Sequence, residues 1–284
     1  MDVSALEEMR DFTLTDKDFE RIRKLVIEHT GIALSDAKRN LVYGRLAKRL
    51  RKMDIGDFGS YIQLLESPGG EEELANFTNA ITTNLTSFFR ENHHFDYLKT
   101  NVLPGILRDN AATKRIRVWS AGCSTGEEPY SIAMAIREVI PESKDWDIKI
   151  LATDLDTNVL AHAQAGVYTL ERLNNVSDAR MKKWFLRGKG ANQDSVKIRS
   201  ELQQLISFKQ LNLMKDWPIK NQFDIIFCRN VVIYFDKPTQ KVLFKRYHGV
   251  LKDNGHMFIG HSETLYKVSN EFNLIGNTTY TKKH

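Results

Sequence analysis

The run Arg117-Val118-Trp119-Ser120-Ala121-Gly122-Cys123-Ser124-Thr125-Gly126-Glu127-Glu128-Pro129-Tyr130 constrains the fold of this chain more than any other stretch. A short apolar segment ends in small residues with two glycines. Two carboxylates follow, then a proline, then the periodic run Ile132-Ala133-Met134-Ala135-Ile136. Glycine permits a sharp turn and close approach to a ligand. Proline suits the first turn of a helix, where its missing N–H has no partner to lose. The pattern is strand, tight loop, helix. It is the opening unit of an open α/β sheet, a fold that binds nucleotides beyond the carboxyl ends of its strands.

Alternation of strand and helix continues from there to the end of the chain. Apolar runs predict strands at 115–120, 146–154, 206–211, 223–228 and 255–260, with helices over 129–140, 156–164 and 239–251. The segments 272–276 and 278–281 lie close enough to form an antiparallel hairpin that closes a mostly parallel sheet. The interval 166–207 breaks the rhythm. A helix over 177–186, a turn at 187–192 and short strands near 184–186, 196–199 and 205–209 predict a small antiparallel insertion, bounded at about 184–209. Before Arg115 the spacing is helical, over 12–30, 36–53, 57–66, 71–81 and 92–108, with a possible break at Pro104. Phe19, Ile22, Val26 and Ile27 make the apolar stripe of the first helix. Two domains are expected: helical over 1–85 and α/β over 86–284.

With 284 residues, 42% of them hydrophobic, such a chain can bury a large core. Two cysteines, Cys123 and Cys228, argue against a disulfide scaffold. The start, Met1-Asp2-Val3-Ser4, lacks a secretory pattern, and no apolar run has the length of a membrane span. Cytoplasm is the expected compartment, with no membrane insertion.

The strand ends carry the chemistry: Gly122 to Glu128, Asp154, Asn212-Leu213, Asn230 to Tyr234, and His261-Ser262-Glu263. No Gly-Lys-Ser/Thr follows the glycine turn, so a phosphate-transfer loop is disfavoured, and the full Gly-x-Gly-x-x-Gly is absent. Glu127 and Glu128 at a helix start would repel a pyrophosphate, although acids there also suit the helix dipole. A cationic cofactor fits better. S-adenosylmethionine brings an amine, a sulfonium and a ribose that Asp154 can hold. No metal is expected, because zinc-type and facial-triad spacings are missing and His93-His94 reads as a helix start.

The second helix has an uneven charge distribution. Asp36 is its only acid, against Lys38, Arg39, Arg45, Lys48, Arg49, Arg51 and Lys52. Val42, Leu46, Leu50 and Met53 line one face, and Lys38, Arg45, Lys48, Arg49 and Lys52 share the neighbouring arc. The arc reads either as a solvated face or as a docking surface for an anionic partner. No aromatic interleaving favours nucleic acid.

Four stretches in order resemble the chemotaxis receptor methyltransferases, the CheR family: Thr82 to Glu91, Trp119 to Ser131, Ala152 to Asp156, and Phe223 to Phe235. Gly260-His261-Ser262-Glu263 fits as well. The resemblance spans nearly the whole chain. It implies a helical N-terminal domain joined to a class I S-adenosylmethionine-dependent methyltransferase domain. The implied reaction makes methyl esters on glutamate side chains of chemoreceptor cytoplasmic helices and leaves S-adenosylhomocysteine. On the family pattern, Asn84, Thr86, Arg90, Gly122, Glu128, Asp154, Asn212, Leu213, Asn230 and Val231 line the cofactor site. Arg90 and Tyr234 lie closest to the transferred methyl. The resemblance also makes Arg45, Lys48, Arg49 and Lys52 the expected contacts with acidic receptor helices. In some members the β insertion tethers to a pentapeptide at the receptor C-terminus, and the length and turn here are compatible with that.

Overall fold

Residues 11–141 and 145–283 are described by the computed structural model, and they divide into two units. The first ends at Thr83 and takes in Tyr234–Asp236; the second begins at Asn84.

Four amphipathic helices build the first unit: α1 (Asp16–Thr30), α2 (Arg39–Met53), α3 (Phe58–Glu66) and α4 (Glu71–Ile81). Two of the starts are capped by side chains. The Thr15 hydroxyl accepts from Asp18 N–H at the head of α1, and Asp57 does the same from Ser60 for α3. A 3-10 turn over Asp36–Lys38 leads into α2, so the basic helix is regular only from Arg39. Phe19, Ile22, Val26, Val42, Leu46, Leu50, Phe58, Tyr61 and Phe77 form the core. Ile27 departs from the expected stripe. It is 52% exposed, and Leu25 is buried instead.

In the second unit, α5 (His93–Tyr97), a π turn over Leu98–Val102 and α6 (Leu103–Asp109) make the single helix expected there. The irregularity falls one turn before Pro104, which cannot donate to the Thr100 carbonyl and crowds it. Then come β1 (Arg115–Ala121), α7 (Glu127–Val139), β2 (Asp147–Asp154), α8 (Thr157–Ala165) and β3 (Val167–Thr169). The chain continues through α9 (Asp178–Trp184), β4 (Phe185–Arg187), β5 (Ser195–Ile198), α10 (Ser200–Gln203) and β6 (Ile206–Gln210). It ends with β7 (Phe223–Cys228), α11 (Lys237–Val250), β8 (Leu251–Ile259), β9 (Phe272–Gly276) and β10 (Thr279–Lys282).

Seven strands form one sheet in the order β6-β2-β1-β7-β8-β10-β9, parallel except for β10, which runs antiparallel to both β8 and β9. Alternation along the strands sorts side chains between two faces. Val118, Ile150, Phe227 and Phe258 join Phe95, Met134 and Ile136 in one core. From the opposite face of β1, Trp119 packs on Trp217 and Tyr247.

The boundary of the insertion is corrected. Its sheet is β3-β5-β4, so it begins earlier than 184 and includes a strand the sequence reading missed. β6, which the sequence offers both to the insertion and to the main sheet, pairs with β2 at the edge of the main sheet. A three-residue strand such as Val167–Thr169 is too short to show alternation.

Candidate functional site

The turn after β1 is anchored to the neighbouring strand through backbone. Gly122 N–H and Cys123 N–H both donate to the Thr153 carbonyl at the end of β2, at 2.8 and 2.9 Å. Gly122 has φ +83°, and a Cβ there would lie 2.4 Å from Val231 Cγ2. Gly126, at φ +97°, caps α7, and its Cβ would meet Ala163 and the Tyr168 hydroxyl at 2.8 Å. Only glycine fits either position without strain.

Asp154 stands where β2 ends. One carboxylate oxygen accepts from Ser124 N–H (2.8 Å) and the other from Asp156 N–H (3.0 Å). A carboxylate has about four acceptor sites, so capacity remains for ligand hydroxyls. Burial raises its pKa, with the backbone hydrogen bonds pulling the other way. Asp156 caps α8 and also accepts from the Asn84 amide at 2.8 Å, while the Asn84 carbonyl receives the Ser124 hydroxyl at 2.9 Å. Asn84 thus ties the segment before Arg90 to the glycine turn.

The two glutamates of the turn diverge. Glu127 is fully buried, takes the Thr125 hydroxyl at 2.6 Å and pairs with Arg172 at 3.0 Å. Its charge is therefore compensated inside the fold by Arg172. Glu128 accepts from the Ser120 hydroxyl (2.7 Å) and from Arg229 Nη1 (3.2 Å). Burial raises its pKa, against the pull of Arg229. Arg229 is shared between Glu128 and Glu91, so this group keeps a negative charge in excess, and with Asp154 it suits a cationic adenosyl ligand and opposes a pyrophosphate.

Asn230 follows β7 in the left-handed region at φ +58°. Its N–H donates to buried Glu263 at 3.0 Å, as do Gly260 (2.6 Å) and Ile233 (3.2 Å). Glu263 thereby fixes the loop bearing Asn230 and Val231. Asn212 Oδ1 accepts from Met214 N–H, and the Leu213 carbonyl accepts from Arg246, whose guanidinium lies 4.1 Å over Trp217. Arg90 is half-buried and donates from Nη1 to the Leu85 carbonyl at 2.9 Å; Thr86 lies between them in sequence, and its carbonyl accepts from Arg172 at 3.5 Å.

Tyr234 groups with the first unit, where its carbonyl accepts from Ala33 N–H at 2.9 Å. The cations of the expected docking arc divide by partner. Arg45 donates to the Ile81 and Thr82 carbonyls and to the Thr83 hydroxyl, closing the end of α4. Arg49 forks onto Glu73, which is 6% exposed and also accepts from the Tyr61 hydroxyl at 2.6 Å. Lys48 and Lys52 are exposed, with no partner among the described residues. Helical spacing cannot tell which cations on an arc will meet a carboxylate from another helix.

Sequence reasoning missed Arg229 and Glu91. Arg229 is 2% exposed and joins Glu128 to Glu91, with the Glu91 contact at 3.2 Å. Glu91 also takes His261 Nδ1 (2.7 Å) and His261 N–H (3.2 Å). An arginine directly after the Phe223–Cys228 strand, apolar but for Asp224, was the available signal, since a buried guanidinium requires carboxylates. Glu91, His93 and His94 place ligand atoms within 4.8 Å of one another. Arg229 holds the carboxylate that a cation would need there, which makes the group an ion-pair hub.

Among the described residues no helix is long and apolar enough to cross a membrane. The all-α domain of the CheR methyltransferases matches residues 17–82, and their SAM binding domain matches residues 84–281. The chain is 44% identical to a probable chemotaxis protein methyltransferase of Rhizobium etli, over 90% of this chain and 96% of that one. It is 44% identical to chemotaxis protein methyltransferase 2 of Pseudomonas aeruginosa, over 96% and 95% of the two chains. With the chemotaxis protein methyltransferase of Escherichia coli the identity is 43%, over 94% and 91%. With both family domains matched in order and relatives aligned almost end to end, the chain belongs to the CheR family of S-adenosylmethionine-binding methyltransferases.

Proposed function

We propose that this chain transfers the methyl group of S-adenosylmethionine to glutamate side chains on chemoreceptor cytoplasmic helices, serving chemotactic adaptation. The products are glutamyl methyl esters and S-adenosylhomocysteine, and the cytoplasm is the compartment. Near full-length similarity to chemotaxis protein methyltransferases carries this reading. The carboxylates at the strand ends, which suit a cationic adenosyl ligand, support it.

The cofactor, when bound, supplies an electrophilic methyl on a sulfonium. The protein must align the acceptor about 3 Å from that carbon and keep water out. A glutamate carboxylate is already ionised near neutral pH, so no strong base is needed. Asp154 accepts the ribose hydroxyls and Glu128 holds the ammonium. Asn212 and Leu213 border the adenine; Asn84, Thr86, Gly122, Asn230 and Val231 complete the lining. Arg90 neutralises and orients a carboxylate, either the incoming glutamate or the cofactor's own. Tyr234 donates a hydrogen bond beside the methyl path. Lys48 and Lys52 supply the docking charge for acidic receptor helices. The β insertion offers β4 as an edge strand for a receptor C-terminal peptide to extend.

Incubation with methyl-tritiated cofactor, receptor cytoplasmic fragment and RNA tests the reading. Label on receptor that mild base releases as methanol supports it. Base-stable label, or label on RNA, contradicts it.

A further inference from the structure

The turn that presents Arg90 is unusual in its backbone. Phe89 has φ +52° and Glu91 has φ +55°, so two residues with side chains sit in the left-handed region on either side of Arg90. Such conformations persist only where the surroundings over-determine them. Three contacts do so here. Phe89 N–H donates to the Ser131 hydroxyl at 3.0 Å, the Arg90 carbonyl accepts from Arg229 Nη2, and the Glu91 carboxylate pairs with Arg229. Asn230 Nδ2 adds a fourth link to Glu91, at 3.3 Å.

Arg229 also reaches the other side of the site, since its Nη1 donates to Glu128. One planar guanidinium therefore touches both the carboxylate assigned to the cofactor's ammonium and the turn that presents Arg90. Its side chain is 2% exposed, and its two carboxylates are 9% and 11% exposed. A buried ionic chain of this kind is weak as a source of stability, because desolvation offsets most of the attraction. Its geometric product is a fixed spacing between Glu128 and Arg90.

We propose that Arg229 is a positioning residue for methyl transfer, setting Glu128 with one edge of its guanidinium and the Arg90 turn with the other, with Glu91 as its counter-charge. This rests on the roles given above to Glu128 and Arg90. Lysine cannot replace it, since an ammonium is a point charge without the fork.

Three variants of the full chain test this: Arg229→Lys, Glu91→Gln and Ser120→Ala. Each is assayed for S-adenosylhomocysteine affinity by calorimetry, for kcat with cofactor and receptor both saturating, and for melting temperature. Arg229→Lys should lower kcat about 100-fold, the effect of misplacing reacting groups by about 1 Å, and should weaken cofactor affinity as well. Glu91→Gln frees the turn but leaves Glu128 its arginine, so kcat should fall about 10-fold with a smaller loss of cofactor affinity than in Arg229→Lys. Ser120→Ala removes one hydrogen bond to Glu128 and leaves its arginine, so affinity should weaken while kcat falls less than in Arg229→Lys. A folded Arg229→Lys with wild-type kcat overturns the proposal. If that variant does not fold, wild-type kcat in Glu91→Gln overturns it, and a selective loss of kcat supports it. An inactive wild type would instead sink the functional reading itself.

Discussion

Arg49 and Lys52 show how far apart two cations on one helical arc can be. Arg49 is spent on Glu73, a carboxylate on α4 that is 6% exposed and shared with Tyr61. The pairing raises the Arg49 pKa, and burial raises that of Tyr61 outside its usual range. Arg49→Ala should therefore destabilise the chain by about 3 kcal/mol, because Glu73 is left buried without its cation. Lys52→Glu should change stability by no more than about 0.5 kcal/mol and should raise the KM for receptor. Denaturant melts and receptor-titrated initial rates separate the two; equal loss of stability in both variants would contradict the assignment. The cations of α2 were legible in the sequence. Their partners were not, because Glu73 lies on a different helix and no local spacing points to it.

Among the elements, the segment from Phe89 to His94 links the site to acid stability. Burial pushes the Glu91 carboxyl up, but the His261 hydrogen bond and the Arg229 charge more than offset it and bring it down to about 2 from 4.5. Its interactions therefore contribute fully above pH 4.5 and are lost as pH falls toward 2. Burial, with the Arg229 charge second, holds His94 at about 4 against 6.5. The neutral ring is kept in the fold, so the unfolded chain takes up the proton first and stability falls between pH 6.5 and 4. Melting temperature should thus decline through both windows. Glu91→Gln should flatten the lower one and keep the upper, whereas an unchanged acid limb would remove Glu91 from the account. Periodicity revealed the helix that begins here, since Phe95, Leu98 and Val102 point to one core. The two left-handed residues before it were invisible, because neither phenylalanine nor glutamate signals positive φ. The β1–α7 turn was legible for the opposite reason: Gly122 and Gly126 stand where the backbone requires them.

For the whole molecule, the order of elements was readable because long amphipathic helices and buried parallel strands repeat their apolar residues at fixed periods. The seven-stranded sheet and the helical unit follow from that. What the sequence hid was membership decided by packing. β3 joins the insertion, and Tyr234–Asp236 group with the helical unit although they follow β7 in the chain. The central claim is that an acid-lined strand-end site holds S-adenosylmethionine and passes its methyl to a carboxylate. Fragmentation mass spectrometry of receptor cytoplasmic domain, after incubation with the full chain and cofactor, tests this most directly. The account predicts the mass of one methyl group on glutamate side chains. It also predicts at least a tenfold slower gain with Asp154→Ala at limiting cofactor, the scale of hydrogen bonds to a charged group. Methyl on lysine or a terminal amine, or an undiminished rate with Asp154→Ala, would contradict it.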